Sequence, residues 1–289
     1  MDLTISSSRL TAVVSPAGGE LQSLRDKEGR EYLWQGDKRW WGRRSPNLFP
    51  YVGRCTGGQY TLEGQTYSLD IHGFVRGAEL QGEQLGAGAC AFTLTDSPET
   101  RTRFPFAFLY QVSFAVRENT LTVTYTVENR DGRTMHFGLG AHPGFRVPLE
   151  EGERFEDYTL TFSAPCAPRR VLFSADGYRT GETADYPLQN GDRIPLTHPL
   201  FDDEAIVLSG TSGIVRLGSQ SRGLTVDYRE FPLVGFWHPP HTEAPFVCIE
   251  PWRSLPARQG VVEDWTRQED LVALPAGQRW QIGYSITLS

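Results

Sequence analysis

The stretch LYQVSFAVRENTLTVTYTVEN, residues 109–129, carries the pattern that predicts the fold class. Apolar side chains alternate with polar ones on both sides of the short polar segment RENT, at Tyr110, Val112, Phe114 and Val116 and then at Leu121, Val123, Tyr125 and Val127. A period of two places one face of a strand in the core and the other in water, as in antiparallel sheets. The stretch therefore predicts a hairpin of two long antiparallel strands.

The same alternation extends over most of the chain. WQIGYSITL (280–288) predicts a last strand, and QYTLEGQTYSL (59–69) predicts a hairpin that turns at Glu63–Gly64. Helical patterns are scarce, and only residues 98–103 and 254–270 are candidates for short turns or a helix. The polar segments 148–156 and 174–198 are interpreted as loops. Since no linker interrupts the pattern, we expect one all-β domain over residues 1–289, a sandwich of large antiparallel sheets with few short helices.

Composition excludes several classes of function. The net charge of −7 argues against a nucleic-acid partner, which usually requires a basic patch. No apolar run approaches the roughly 20 residues of a membrane span, and the N-terminus lacks the features of a secretory leader. The four cysteines are widely spaced and form neither a zinc nor a disulfide framework. We expect a cytoplasmic protein with reduced thiols, either a monomer or a homodimer, that contacts no membrane.

Familiar catalytic signatures are absent or weak. The sequence has no phosphate-binding P-loop and no GxSxG motif, and no helical pattern follows the glycine-rich segment GLGAHPG (138–144). In HPPH (238–241), two prolines between the histidines exclude the helix that would bring both onto one metal ion, which leaves a metal site in a loop as the alternative. We therefore expect neither a cofactor nor a metal.

Four ionisable residues interrupt or end apolar strands. Arg54 follows LFPYVG, Glu250 follows FVCI, and His72 and His142 each lie two or fewer residues before a Gly-Phe pair. Each residue alone has a structural interpretation, such as a hydrogen-bonded core histidine or an ion pair of Glu250 with Arg253. Together they form a set suited to proton transfer on a polyhydroxylated ligand.

Four motifs, in order along the chain, resemble the landmarks of a known family. SPNLFPYVGR (45–54), HGFVR (72–76), HPGFRVP (142–148) and FVCIEPW (246–252) are similar to motifs of the aldose 1-epimerases, or galactose mutarotases, and closest to the shorter LacX-like bacterial branch. The resemblance implies a β-supersandwich with its site in a cleft on one concave sheet. It also implies interconversion of the α and β anomers of a free hexose, without a cofactor or a metal.

The resemblance assigns roles to individual residues. It implies that Glu250 is the general base on the C1 hydroxyl and that His142 is the general acid on the ring oxygen. His72 would assist near the ring, and Arg54 would hold sugar hydroxyls. For turnover near neutral pH we expect a protonated His142 beside an ionised Glu250, since each charge favours the other.

Two further binding residues have open alternatives. The family has a substrate-binding aspartate, which we assign to Asp203 in HPLFDDEAIVL (198–208), with Asp202 as the competing choice and a solvated acidic turn as the structural alternative. An aromatic ring usually stacks on the apolar face of a sugar, and Trp237 is the best candidate, although a core position explains it nearly as well. Trp40 and Trp41 could line the rim of the cleft.

Two alternative functions remain at this point. The first is a hexose-6-phosphate mutarotase, because a phosphate requires clustered cations and the chain offers Arg43, Arg44, Arg76 and Arg146. The second is a carbohydrate-binding or sensing protein without turnover. The presence of both His142 and Glu250 favours an enzyme. A glycosidase would use two carboxylates, for which only Glu250 and Asp203 are available.

Overall fold

Strands dominate the computed structural model, which describes all of residues 1–289. The first twelve strands in chain order are β1 Leu3–Ser6, β2 Leu10–Ser15, β3 Glu20–Asp26, β4 Asn47–Leu48, β5 Gln59–Leu62, β6 Gln65–Ser68, β7 Gln81–Gly86, β8 Ala89–Thr95, β9 Phe108–Arg117, β10 Thr120–Asn129, β11 Met135–Phe137 and β12 Gly140–Ala141. The remaining twelve are β13 Gly144–Arg146, β14 Thr159–Phe162, β15 Arg169–Phe173, β16 Arg179–Asp185, β17 Arg193–Pro195, β18 Ile206–Ser209, β19 Ile214–Gly218, β20 Gly223–Asp227, β21 Leu233–Trp237, β22 Phe246–Trp252, β23 Val272–Leu274 and β24 Arg279–Leu288.

Helical structure is limited to five short segments. They are the α-helix α1 Pro98–Arg103 and the 3₁₀ segments Thr56–Gly58, Val75–Gly77, Phe155–Asp157 and His198–Phe201. Ser97 caps the N-terminus of the α-helix, and its side chain accepts a hydrogen bond from the Thr100 amide at 3.2 Å. None of the helices is long and apolar enough to cross a bilayer.

Two large antiparallel sheets form the body of the molecule. The nine-stranded sheet has the order β17-β14-β19-β20-β24-β10-β9-β8-β7. The eight-stranded sheet has the order β16-β15-β18-β21-β22-β12-β4, with β13 also paired to β22. Residues 109–129 form the hairpin β9–β10, which pairs with the last strand β24, as their alternating pattern predicted. The prediction of an all-β sandwich of large antiparallel sheets is confirmed.

The core lies between the facing surfaces of these sheets. Phe162 of the nine-stranded sheet packs edge-on against Phe236 of the eight-stranded sheet, with ring centroids 6.2 Å apart. Tyr125 spans the same interior and donates a hydrogen bond to Asn47 Oδ1 at 2.7 Å. Burial of the apolar residues on both inner faces is the main force that holds the two sheets together.

Some predicted local structure needs correction. The segment 174–198 is not a loop throughout, because it contains β16 and β17; most of their side chains are exposed, so no apolar alternation revealed them. Of the two alternatives for residues 254–270, short turns or a helix, the structure has turns, together with isolated bridges, and Glu263 there accepts a hydrogen bond from the guanidinium of Arg258 at 2.9 Å. The hairpin β5–β6 turns at Glu63 and Gly64, both with positive φ, as predicted.

Strand β22 is the element that positions the candidate site. It lies inside the eight-stranded sheet, between β21 on one side and the short strands β12 and β13 on the other. All seven of its residues are buried. An ionisable side chain on this strand is therefore held rigidly and largely out of water.

Candidate active site

Five of the six predicted site residues line one cavity of about 360 Å³, a size suited to a small-molecule ligand. They are Arg54, His72, His142, Trp237 and Glu250. The other residues that line this cavity include Trp41, Arg43, Arg76, Glu204 and Trp252. Residues distant in sequence thus converge on a single cleft.

The register of the eight-stranded sheet places His142 opposite Glu250. Gly140 of β12 pairs with Trp252, and Gly144 of β13 pairs with Cys248. By this register His142, midway between the two glycines, faces Glu250. On the other side, Gly235 of β21 pairs with Glu250. A Cβ atom at position 235 would lie 3.4 Å from the Cβ of Glu250. Because Gly235 has no side chain, space remains beside the carboxylate.

The carboxylate of Glu250 has two chemically different oxygens. Oε2 lies 3.3 Å from Nε2 of His142 and accepts a hydrogen bond from the indole nitrogen of Trp252 at 3.2 Å. Oε1 has no protein donor. This arrangement fixes the carboxylate through Oε2 and leaves Oε1 available to a ligand in the cavity.

Burial has the largest effect on the protonation of this pair. It raises the pKa of Glu250 well above its usual value, with the Trp252 hydrogen bond as a smaller opposing effect. Burial also lowers the pKa of His142 to about 3, against the effect of a backbone hydrogen bond. Desolvation therefore favours a neutral imidazole beside a protonated carboxyl group, whereas the form expected for turnover is imidazolium beside carboxylate. The two forms carry the same number of protons and differ only in the position of one of them.

His72 is held by its backbone and by one ring nitrogen. It has a positive φ of 64°, its amide donates to the Gly53 carbonyl at 2.8 Å, and its Nδ1 accepts from the Gly53 amide at 3.1 Å. The ring is therefore protonated on Nε2, the nitrogen left free. Burial lowers the pKa of His72 well below its usual value, and nearby His142 lowers it further. His72 lies edge-on to His142, with ring centroids 5.7 Å apart.

Aromatic rings enclose His142. Trp41 stacks on the imidazole with ring centroids 4.9 Å apart, and Trp237 meets it edge-on at 5.6 Å. Both tryptophans line the cavity and retain some exposure, so Trp237 is not solely a core residue. Trp41 had only been considered for the rim, because nothing in RWWGRRSP shows which of its two tryptophans turns inward.

The assignment of the acidic binding residue needs correction. Asp203 is exposed and does not line the cavity, and its carbonyl accepts a hydrogen bond from Arg170 at 3.4 Å. Asp202 instead binds the His241 amide through its carboxylate at 2.7 Å. The next residue, Glu204, is the acid of this turn that lines the cavity. Three consecutive acids carry no signal of which one faces inward, because a turn sends each side chain in a different direction.

The arginine candidates separate into two groups. Arg43 and Arg76 line the cavity, and Nη1 of Arg43 donates to the Arg76 carbonyl at 2.8 Å. Among the arginines that are at least partly buried, Arg76 alone has no side-chain hydrogen bond and no ion pair. Arg44 instead donates to the Gln22 carbonyl, and Arg146 is exposed outside the cavity.

Two structural alternatives, an ion pair of Glu250 with Arg253 and a metal site in HPPH, can be compared with the contacts of these residues. Arg253 donates to the Asp270 carbonyl at 3.3 Å and forms no ion pair with Glu250. In HPPH the two histidines separate: His238 bonds to the Pro239 carbonyl at 2.8 Å and to His198, whereas His241 pairs with Asp202. Neither histidine of that motif belongs to the cavity.

Comparison with known proteins identifies related chains. The family model described as aldose 1-epimerase matches residues 1–287. The plasmid-encoded protein LacX of Lactococcus lactis subsp. lactis is 29% identical over 302 residues, covering 100% of this chain and 99% of LacX. A galactose mutarotase related enzyme from Lactobacillus acidophilus is 32% identical with a TM-score of 0.95, covering 100% of this chain and 97% of the other. A galactose mutarotase-like protein from Lactobacillus casei is 34% identical with a TM-score of 0.93, covering both chains fully.

Proposed function

The chain belongs to the aldose 1-epimerase family, and we propose that it interconverts the α and β anomers of a hexose by acid–base opening and closure of the ring. The observation that carries this proposal is the contact of 3.3 Å between Glu250 and His142 in a cavity of sugar size. Mutarotation requires one group that removes the proton of the C1 hydroxyl and one that protonates the ring oxygen. The two side chains supply this pair.

The free oxygen of Glu250 determines the direction of proton transfer. Oε1 takes the proton from the C1 hydroxyl while Nε2 of His142 gives its proton to the ring oxygen, and the bond between C1 and the ring oxygen breaks. The C1–C2 bond of the open aldehyde then rotates. Closure reverses both transfers on the other face of C1, so that no atom or proton is gained or lost overall.

The resting protonation of the pair fits this cycle. Ring opening starts from imidazolium and carboxylate and ends with neutral imidazole and protonated carboxyl. The second form is the one that burial favours. The catalytic pair therefore alternates between two positions of a single proton, and a bound sugar needs only to shift that proton from Glu250 to His142.

The test is polarimetry of freshly dissolved α-D-galactose and α-D-glucose. The wild-type protein should accelerate equilibration, whereas Glu250→Gln should abolish the acceleration and retain sugar binding by calorimetry. A Glu250→Gln variant as fast as wild type would contradict the base assignment. Sugar binding by the wild type without any turnover would favour the alternative of a catalytically inactive carbohydrate-binding or sensing protein.

A hexose-6-phosphate is a second candidate substrate, and Arg76 favours it. A partly buried guanidinium without an acceptor is costly, since burial and the neighbouring Arg43 already lower the pKa of Arg76. A phosphate in the cavity would satisfy it by charge-assisted hydrogen bonds. Comparison of kcat/KM for free and 6-phosphorylated aldoses separates the two candidates. Arg76→Met should reduce the preference for the phosphorylated sugars, and Arg146→Met, outside the cavity, is the matched control.

A further inference from the structure

A cysteine completes a potential metal-binding set beside the catalytic pair. Cys248 lies two residues before Glu250 on β22, so both side chains leave the strand on the same face. One ligand atom each from His142, Cys248 and Glu250 lies within 4.8 Å of the others, and all three residues are buried. Cys248 itself does not line the cavity and has no part in the proton transfers described above.

We propose that His142, Cys248 and Glu250 bind a thiophilic divalent cation such as Zn²⁺, and that the bound ion inhibits the enzyme by occupying its acid–base pair. The inhibition rests on the proposed function, whereas the binding of the ion does not. The ion is an inhibitor rather than a cofactor, since it would remove the proton that mutarotation needs.

The donor set fits zinc in chemistry and in size. One imidazole nitrogen, one thiolate sulfur and one carboxylate oxygen, with an open fourth position, form a combination typical of zinc sites with exchangeable water. Bonds of about 2.3 Å to sulfur and about 2.0 Å to nitrogen or oxygen hold tetrahedral ligand atoms roughly 3–4 Å apart. The present spacing therefore requires side-chain shifts of about 1 Å or less. The fourth position would face the cavity, which His142 and Glu250 line.

Charge balance favours the exchange of protons for the ion. A cysteine without a metal carries its thiol proton at neutral pH, and the buried pair of His142 and Glu250 holds a second exchangeable proton between its two facing atoms. Binding breaks the S–H bond, releases both protons to solvent and forms the bonds to sulfur, nitrogen and oxygen. The dication then balances one thiolate and one carboxylate, so no uncompensated charge remains buried.

A supporting hydrogen bond already holds one of the ligands. The indole of Trp252 donates to Oε2 of Glu250 and would orient the carboxylate toward the ion. The stacked ring of Trp41 restricts rotation of His142. The set is therefore arranged before an ion arrives, which reduces the entropy cost of binding.

The test uses chelator-treated protein and metal-buffered Zn²⁺ in the polarimetric assay. The wild type should lose activity at one bound ion per chain, with release of two protons in weakly buffered solution. Cys248→Ser and Cys248→Ala should keep the activity without metal, while the Zn²⁺ concentration for half-inhibition rises about 100-fold or more. Cys166→Ser is the matched control, since Cys166 is outside the site, and it should stay as sensitive as the wild type.

Co²⁺ supplies a readout that does not depend on turnover. Bound to the wild type, Co²⁺ should give the intense near-ultraviolet absorption of a thiolate-to-cobalt transition, and both Cys248 variants should lack it. Equal inhibition of the wild type and the Cys248 variants, or absence of this absorption in the wild type, would overturn the proposal. Cobalt absorption in a protein without mutarotase activity would support the metal site and refute the proposed function alone.

Discussion

Glu250 and His142 lie across from each other in one sheet, with Oε2 of the carboxylate 3.3 Å from Nε2 of the imidazole. The contact is set by strand register, since Gly140 pairs with Trp252 and Gly144 pairs with Cys248. His142 occupies the gap between the two short strands, where its ring can turn toward the carboxylate. The geometry of the pair is thus a property of the sheet rather than of a mobile loop.

In the proposed mechanism His142 and Glu250 act together in one proton transfer, so their contributions to turnover should not add. We expect His142→Asn and Glu250→Gln each to lower kcat by roughly 10²–10⁴-fold, the range for a single acid or base. The double variant should be no slower than the slower single variant, within error. Polarimetry on all four proteins measures this cycle, and circular dichroism checks that each is folded. If the loss of kcat in the double variant equals the product of the two single losses, the groups act in separate steps.

The indole of Trp252 should control the acid side of the pH profile. The Trp252 hydrogen bond opposes the effect of burial on the pKa of Glu250, so Trp252→Phe should raise that pKa further. If the pKa of Glu250 is higher, its carboxyl group ionises only at higher pH. The rise of kcat with increasing pH should then occur at higher pH as well. A hydrogen bond to a charged group is worth about 1.5–3 kcal/mol, so kcat near neutral pH should fall by about 10-fold or more.

The kcat profile of Trp252→Phe from acid to alkaline pH tests this, and activity should recover as pH rises. Trp280→Phe is the matched control, since Trp280 packs against Phe137 away from the cavity. A uniform loss of kcat at every pH would indicate that Trp252 acts through packing alone.

Glycine is required after His72 by a close backbone contact. Gly73 has a φ of 73°, and a Cβ there would lie 2.2 Å from the Phe49 carbonyl oxygen, so Gly73→Ala forces the backbone apart. We expect a loss of at least about 3 kcal/mol in the free energy of unfolding, with reduced kcat because His72 moves. Gly64→Ala is the matched control: its φ is also positive but its Cβ meets nothing within 4 Å. Gly64→Ala should lower the free energy of unfolding by only about 1–2 kcal/mol. Urea denaturation of both variants measures the difference.

Burial of His238 should make the protein less stable in mild acid. Burial lowers its pKa to about 4, with His198 acting in the same direction and the Pro239 carbonyl and Asp202 acting against it. The unfolded chain has the ordinary value near 6.5 and binds a proton that the folded state takes up only near pH 4. His238 therefore subtracts stability as pH falls below about 6.5, by about 2 kcal/mol between pH 7 and pH 5.

Urea denaturation at the two pH values measures this effect. In His238→Asn the decrease in unfolding free energy from pH 7 to pH 5 should be smaller than in the wild type by about 2 kcal/mol. Because only the change between the two pH values is compared, the pH-independent effect of the substitution on the free energy of unfolding cancels. An unchanged slope would show that His238 is protonated equally in the folded and unfolded states.

The sequence predicted the fold class and the catalytic pair for different reasons. Alternation in residues 109–129 and 280–288 predicts strands because a sheet with one buried face requires a period of two. His142 and Glu250 were identified as candidates from short motifs that the family shares, and the structure places their side chains in contact. The exposed strands β16 and β17 escaped prediction because most of their residues face water and leave no apolar pattern.

Sequence by itself thus determined the all-β fold class and the strands with alternating apolar residues, and it singled out His142 and Glu250 as the candidate acid–base pair. Tertiary structure alone decided that Glu204 rather than Asp203 lines the cavity, that Trp41 stacks on His142, and that Arg76 remains without a partner. It also buried the pair of His142 and Glu250, which raises the pKa of the carboxyl group and lowers that of the imidazole. Side-chain direction in turns and the desolvation of paired charges both depend on atoms brought in from distant parts of the chain, and no local pattern encodes them.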